Sequence, residues 1–163
     1  MNKEKIAFIP RQYLAVIAVL LAIMMSVLDG TIMNIALPTL AHDFDVTPST
    51  AIWIVNAYQL VITMTLLSFA SLGDIYGYRR IFLIGISIFV GASLACTLST
   101  SFWMLTAARV IQGFGAACVM SVNTALIRLI YPPQILGRGM GVNAMVVAVS
   151  AAAGPSSPAA FWR

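Results

Sequence analysis

Charge is what this chain has least of. Only 9% of its 163 residues are Asp, Glu, Lys or Arg, against 61% hydrophobic. Soluble domains carry about 25% charged residues, so a chain this apolar cannot bury its surface in a water-soluble core of its own size. Cysteine is equally sparse. Cys96 and Cys118 both stand inside apolar runs, without the spacing of a disulfide framework or a thiolate metal site. The single histidine, His42, lies in a polar stretch with Asp43 and Asp45 and with no second histidine or thiol to complete a metal-ligand set. Neither a metal site, a cofactor nor a set of catalytic residues is expected, and soluble-enzyme chemistry is unsupported. The glycines of GRGMG, Gly137, Gly139 and Gly141, follow no strand and open no βαβ unit, which excludes a nucleotide-binding loop. The net charge of +4 does not indicate nucleic acid, because the basic residues border apolar runs.

What is present is a series of five long apolar segments, at about 13–37, 51–72, 81–98, 102–127 and 139–160. Runs of this length read as membrane-spanning helices, not as barrel strands. The predicted class is therefore an all-α membrane protein with about five transmembrane helices and the lipid bilayer as its first partner. Pro38 is expected to end the first helix, and Pro132 and Pro133 to interrupt the chain between the fourth and fifth. The first run exceeds the apolar core of a signal peptide and carries Asp29, so a cleaved leader is disfavoured. In the second run Trp53, Asn56 and Gln59 share a face, expected to point into the bundle. Small-residue stripes for close packing are read at Ser87, Gly91 and Ala95, at Gly113, Ala117 and Ser121, and at Ala144, Ala148 and Ala152.

The cations set an orientation. Lys3, Lys5, Arg11, Arg79, Arg80, Arg128 and Arg138 account for seven of the nine Lys and Arg residues, all at one side of the implied bilayer; the two opposite loops hold none. Positive residues collect on the cytoplasmic side, so a cytoplasmic N-terminus is expected. Two charged residues fall within apolar runs: Asp29 in the first and Arg109 in the fourth. An ionisable group at membrane depth is a functional candidate by default. The alternative is a structural carboxylate, and for Arg109 a guanidinium reaching outward to the interface. With helix 1 ending near Leu37 and helix 4 starting near Phe102, Asp29 lies about 12 Å and Arg109 about 10 Å below the same end. The two are expected to face each other inside the bundle.

Between the second and third runs stands GDIYGYRR, residues 73–80. Gly73, Asp74, Gly77, Arg79 and Arg80 resemble the signature that joins helices 2 and 3 of major facilitator transporters, with Tyr78 where many members carry a cation. A carboxylate at the end of its own helix opposes the helix dipole, so Asp74 is expected to need a guanidinium or another helix N-terminus as partner. Leu28 to Pro38, LDGTIMNIALP, resembles the first-helix signature of the fourteen-helix drug:proton antiporters, with Met33 a mild departure. RVIQGFGAA, holding Arg109, Gln112 and Gly113, resembles the fourth-helix signature linked in that family to proton transfer. AAAGPSSP begins like the fifth-helix antiporter motif at Gly154 and Pro155 and departs from it at Pro158 and Ala159.

Four motifs in the family's order make the chain similar to the N-terminal part of such an antiporter. The resemblance implies an incomplete N-terminal six-helix bundle over residues 1–163. It implies a multi-pass protein of the cell inner membrane that exchanges protons for small amphipathic or cationic compounds. It assigns proton coupling to Asp29 and Arg109, where Arg109 keeps its charge and responds to protonation of the carboxylate. Asn34, Asn56, Gln59 and Gln112 are the implied candidates for lining the substrate cavity. Gly73, Asp74, Gly77, Arg79 and Arg80 are those for the cytoplasmic gate. The competing readings are an inactive transporter fragment and a small non-catalytic membrane protein that packs against other helices.

Overall fold

In the computed structural model the described residues are 3–131, 134 and 136–161, with side chains described over 15–131, 134 and 136–152. They form five α-helices: α1 Lys3–Asp43, α2 Pro48–Tyr76, α3 Tyr78–Thr97, α4 Phe102–Ile130 and α5 Leu136–Phe161. No strand occurs among the described residues. Four stretches, Ala15–Asp43, Pro48–Tyr76, Tyr78–Thr97 and Phe102–Ile130, are long and apolar enough to cross a membrane.

The turns follow from their residues. Thr47 caps α2: its Oγ1 accepts from Thr50 N at 3.3 Å, and Pro48 occupies the first helical turn, where its missing N–H is not needed. Ser101 caps α4 in the same way, accepting from Met104 N at 3.3 Å. Between α2 and α3 one residue suffices. Gly77 has φ +91° and donates its N–H to Gly73 O at 3.0 Å, a backbone conformation that side chains rarely tolerate. The polar octapeptide is therefore mostly helical, with α2 running through Gly73 and Asp74 to Tyr76.

Pro38 does not end α1, contrary to expectation. The helix continues to Asp43, and neighbouring structure can offset the backbone hydrogen bond that proline removes. This overhang packs Leu40 and Phe44 against Ile54, Phe102 and Leu105, at the start of α2 and α4. Asp29 therefore lies about 21 Å from the end of α1, at 1.5 Å per residue, instead of the expected 12 Å. α5 likewise begins earlier than expected. Gly154 and Pro155 fall within its backbone span, while their side chains lie outside the described residues.

α4 is the centre of the bundle. Between Ala108 and Asn123 most of its residues are buried, with Ile111, Phe114 and Met120 left exposed; its most extensive contacts are to α3 and α2, while α5 leans mainly on α1. The small-residue pattern in α3 is not the one expected. Ser87 and Gly91 are exposed, and the buried face runs through Phe82, Gly85, Phe89 and Ala92. A Cβ on Gly115 would stand 2.6 Å from Phe89 N and 2.8 Å from Gly85 O, so α3 and α4 meet backbone to backbone. In α4 Gly113 and Ala117 are buried as expected, Gly113 against Tyr58 and Val61 of α2. In α5 the alanine stripe is exposed, and among the residues whose side chains are described Gly139 and Ser150 are the buried positions. Sequence spacing finds small residues but does not reveal which side of a helix a neighbour occupies.

Gly115→Leu is expected to lower stability by at least about 1–3 kcal/mol, the usual range for overpacking. Gly91→Leu should change it by less than about 0.5 kcal/mol, as an open position. Thermal unfolding of the purified chain in detergent checks this; equal midpoints for the two variants would show that α3 and α4 are not in this contact.

Candidate functional site

The site is assembled by three helices. α1 supplies Asp29, α4 supplies Arg109 and Gln112 one turn later, and α2 supplies Tyr58. Arg109 Nη1 stands 2.6 Å from Asp29 Oδ2, and Gln112 Nε2 donates to Asp29 Oδ1 at 3.1 Å. Both carboxylate oxygens are thus engaged. The pair is withdrawn from the surroundings, with side-chain exposures of 6% for Arg109 and 19% for Asp29. Gln112 is fully buried. The i, i+3 spacing on α4 directs both donors to one side, so the carboxylate receives a charged and a neutral hydrogen bond from a single helix.

Tyr58 was not singled out from the sequence. Its ring lies with the Arg109 guanidinium carbon 5.9 Å from the centroid, at cation–π range. It occupies the buried face of α2 together with Ile54 and Ile62; a tyrosine spaced four residues from isoleucines on each side was the available signal. Arg109 Nε, also buried, has no protein acceptor among the described residues. Cys96 Sγ lies 3.6 Å from Gln112 Oε1, extending the network into α3. A separate polar contact joins α4 to α5, where Asn123 Nδ2 donates to Asn143 Oδ1 at 3.2 Å.

The other sequence candidates sit elsewhere. Trp53, Asn56 and Gln59 do share a face, but it is exposed, not turned into the bundle as expected. They border an open cavity of about 270 Å³ on the surface of α2 with Leu60 and Thr63. The buried face of α2 is instead Ala51, Ile54, Tyr58 and Ile62. Asn34 is exposed and donates to Gly30 O at 3.0 Å, so its amide is turned to its own helix. Of the four cavity candidates, only Gln112 joins Asp29 and Arg109.

In the polar turn, Asp74, Arg79 and Arg80 are exposed. The partner of Asp74 is neither a guanidinium nor a helix N-terminus: the Tyr78 hydroxyl donates to Asp74 Oδ1 across the Gly77 turn between α2 and α3. The tyrosine that departs from the family pattern is the residue that satisfies the acid. Its ring also covers Gly73, where a Cβ would come within 2.9 Å of Tyr78 Cδ1 and of Val122 Cγ1.

The sequence profile of the Major Facilitator Superfamily matches residues 19–161. "Uncharacterized transporter YebQ" of Escherichia coli is 59% identical over 153 residues, covering 94% of this chain and 34% of that protein. "Riboflavin transporter RibZ" of Clostridioides difficile is 34% identical, covering 89% of this chain and 32% of that protein. "Multidrug resistance protein Stp" of Mycobacterium tuberculosis is 37% identical, covering 89% and 27% respectively. The chain therefore spans about a third of the length of these relatives.

Removing one member of the ion pair leaves the other as a buried, unpaired charge. Arg109→Met is expected to cost about 3–5 kcal/mol at neutral pH, and adding Asp29→Asn should restore part of that loss. Denaturant titration in micelles measures both; equal instability of the single and double variants would mean that the two side chains are not energetically coupled.

Proposed function

Because the chain belongs to the major facilitator superfamily, we propose that it supplies the incomplete N-terminal bundle of a proton-coupled exporter of small amphipathic or cationic compounds, with Asp29 as the proton-carrying group. One observation carries this reading: a carboxylate at membrane depth whose two oxygens are held by Arg109 and Gln112. Ionised, Asp29 neutralises the guanidinium. On taking a proton it loses its Coulombic hold, and Arg109 becomes the unpaired charge of the bundle, a state that favours repacking. Arg109 itself does not exchange protons at accessible pH. Its role is to make the fold sensitive to the charge of its neighbour. The names of the relatives, one a riboflavin transporter and one a multidrug resistance protein, agree with small organic molecules as the transported class.

Two exposed regions fit surfaces meant for a second bundle. Asn56 and Gln59 would line the substrate cavity from α2. Gly73, Asp74, Gly77, Arg79 and Arg80 would form the cytoplasmic gate, where Asp74, already bonded to Tyr78, is positioned to meet an opposing helix end. Major facilitators work by rocking two bundles about a site at their interface. A single bundle has no opposing half, so a second reading, supported by the coverage of only about a third of its relatives, is that residues 1–163 alone are inactive. The same proposal puts the N-terminus in the cytoplasm of an inner-membrane protein; seven cations on one side and none in the two opposite loops support it, since positive residues collect on the cytoplasmic side.

In a full-length transporter carrying these helices, Asp29→Asn should abolish pH-driven export while leaving membrane insertion unchanged. Export measured against an imposed pH gradient decides this, and undiminished gradient-driven export would remove Asp29 from coupling. Residues 1–163 expressed alone should show no saturable export. Orientation is checked with single cysteines at His42 and Gln134 after both native cysteines are replaced. An impermeant thiol reagent should label His42→Cys from outside the cell and leave Gln134→Cys untouched; the reverse pattern would invert the topology.

A further inference from the structure

The Arg109 guanidinium has different surroundings on its two sides. Toward α1 and α3 there is open space, a cavity of about 340 Å³ whose lining includes Asp29, Cys96 and Gln112. Toward α2 the space shrinks to about 10 Å³, walled by Ile54, Val55 and Tyr58. There the guanidinium carbon stands 5.9 Å from the centroid of the Tyr58 ring, and Tyr58 is only 5% exposed.

The ring belongs to the same packed unit as the arginine. Gly113 follows Arg109 by one turn, and a Cβ there would come within 3.0 Å of Tyr58 O and 3.1 Å of Val61 Cβ. Tyr58 and Ile62 pack with Ala116 and Ala117 of α4 and with Phe89 of α3. Backbone contact between α2 and α4 therefore fixes the ring beside the guanidinium. Asp29 comes from another helix, α1, and meets Arg109 through side chains.

Once Asp29 is neutral, few partners remain for the cation. Among the described residues the other acids, Asp43, Asp45 and Asp74, are exposed. The side-chain carbonyl of Gln112 already faces the Cys96 thiol at 3.6 Å. Arg109 Nε lacks a protein acceptor even while the pair is formed. The ionisable groups around the carboxylate are Arg109 of α4, Tyr58 of α2 and Cys96 of α3; the charged side chain described in α5, Arg138, is exposed. An aromatic face is negative. Beside an ion pair it is drawn to the cation and repelled by the carboxylate. Beside a lone cation only the attraction remains, and it is strongest where water is excluded.

We propose that Tyr58 is a positioning residue that holds the Arg109 guanidinium on the α2 side when Asp29 is protonated, lowering the cost of the broken pair and keeping the arginine where the pair can re-form. The inference rests on the reading of Asp29 as the proton carrier, and it adds the group that receives the released cation. The ring face carries this role and the hydroxyl does not, so phenylalanine should serve in place of tyrosine.

The test is denaturant titration in micelles of a full-length transporter carrying these helices, with Asp29 intact and with Asp29→Asn, a neutral isostere of the protonated acid. Tyr58→Leu should lower the folded-to-unfolded ratio roughly 5- to 30-fold more in the Asp29→Asn protein than with Asp29 intact, as expected for a desolvated cation–π contact. Tyr58→Phe should show no such excess, and adding Arg109→Met should abolish it. A trifluorinated phenylalanine at Tyr58 keeps the ring but drains its negative face; it should reproduce the loss, and it serves if Tyr58→Leu does not fold. Equal effects of Tyr58→Leu in the two backgrounds, an excess that survives Arg109→Met, or a fluorinated ring as good as phenylalanine in Asp29→Asn would overturn the proposal and leave the released guanidinium to water in the open cavity. These measurements need no transport, so such a result leaves the coupling role of Asp29 to the export assay.

Discussion

A charge in hydrocarbon must be answered by another charge, and in this bundle the answer to Asp29 is Arg109 at 2.6 Å. Much of the local architecture can be derived from that requirement. α1 and α4 must approach closely enough for a carboxylate and a guanidinium to touch. α4 must place Gln112 one turn from Arg109, so that the second carboxylate oxygen is not left bare. α2 must bring a ring, Tyr58, to the guanidinium. The packing that achieves this is dense around α4, where glycines at 113 and 115 let α2 and α3 close in from different sides.

Such a pair has a consequence beyond stability. A buried ion pair contributes little net stabilisation relative to apolar packing, whereas breaking it by removing one partner is expensive. A group that can lose its charge by binding a proton is a means of breaking the pair reversibly.

The sequence revealed the helical class, the long apolar segments and the two intramembrane charges, because the absence of charge elsewhere made each exception conspicuous. Asp29 and Arg109 could be matched in depth from helix ends alone, although the depth of Asp29 was underestimated because α1 runs through Pro38. Facing directions were less legible. Nothing in the spacing of Trp53, Asn56 and Gln59 says whether a polar face turns toward its own bundle or toward another, and here it is exposed. Ser87 and Gly91 have the spacing of a packing stripe, yet α4 lies on the Gly85–Phe89–Ala92 side. Tyr78, read as the loss of a cation, is the partner of Asp74, which only the one-residue turn at Gly77 makes plain. Tyr58 looked like one more residue of an apolar face until Arg109 was placed beside it.

The central claim is that Asp29 and Arg109 are joined when the carboxylate is ionised and part when it is protonated. Solid-state NMR can read this directly, through dipolar dephasing between carboxyl-labelled aspartate and guanidinium-labelled arginine in lipid bilayers, with Asp29→Asn identifying the signal. Strong dephasing at neutral pH that is lost on acidification is the expected result; dephasing that is absent at neutral pH, or that persists unchanged after the carboxyl signal has become that of the protonated acid, would contradict the account.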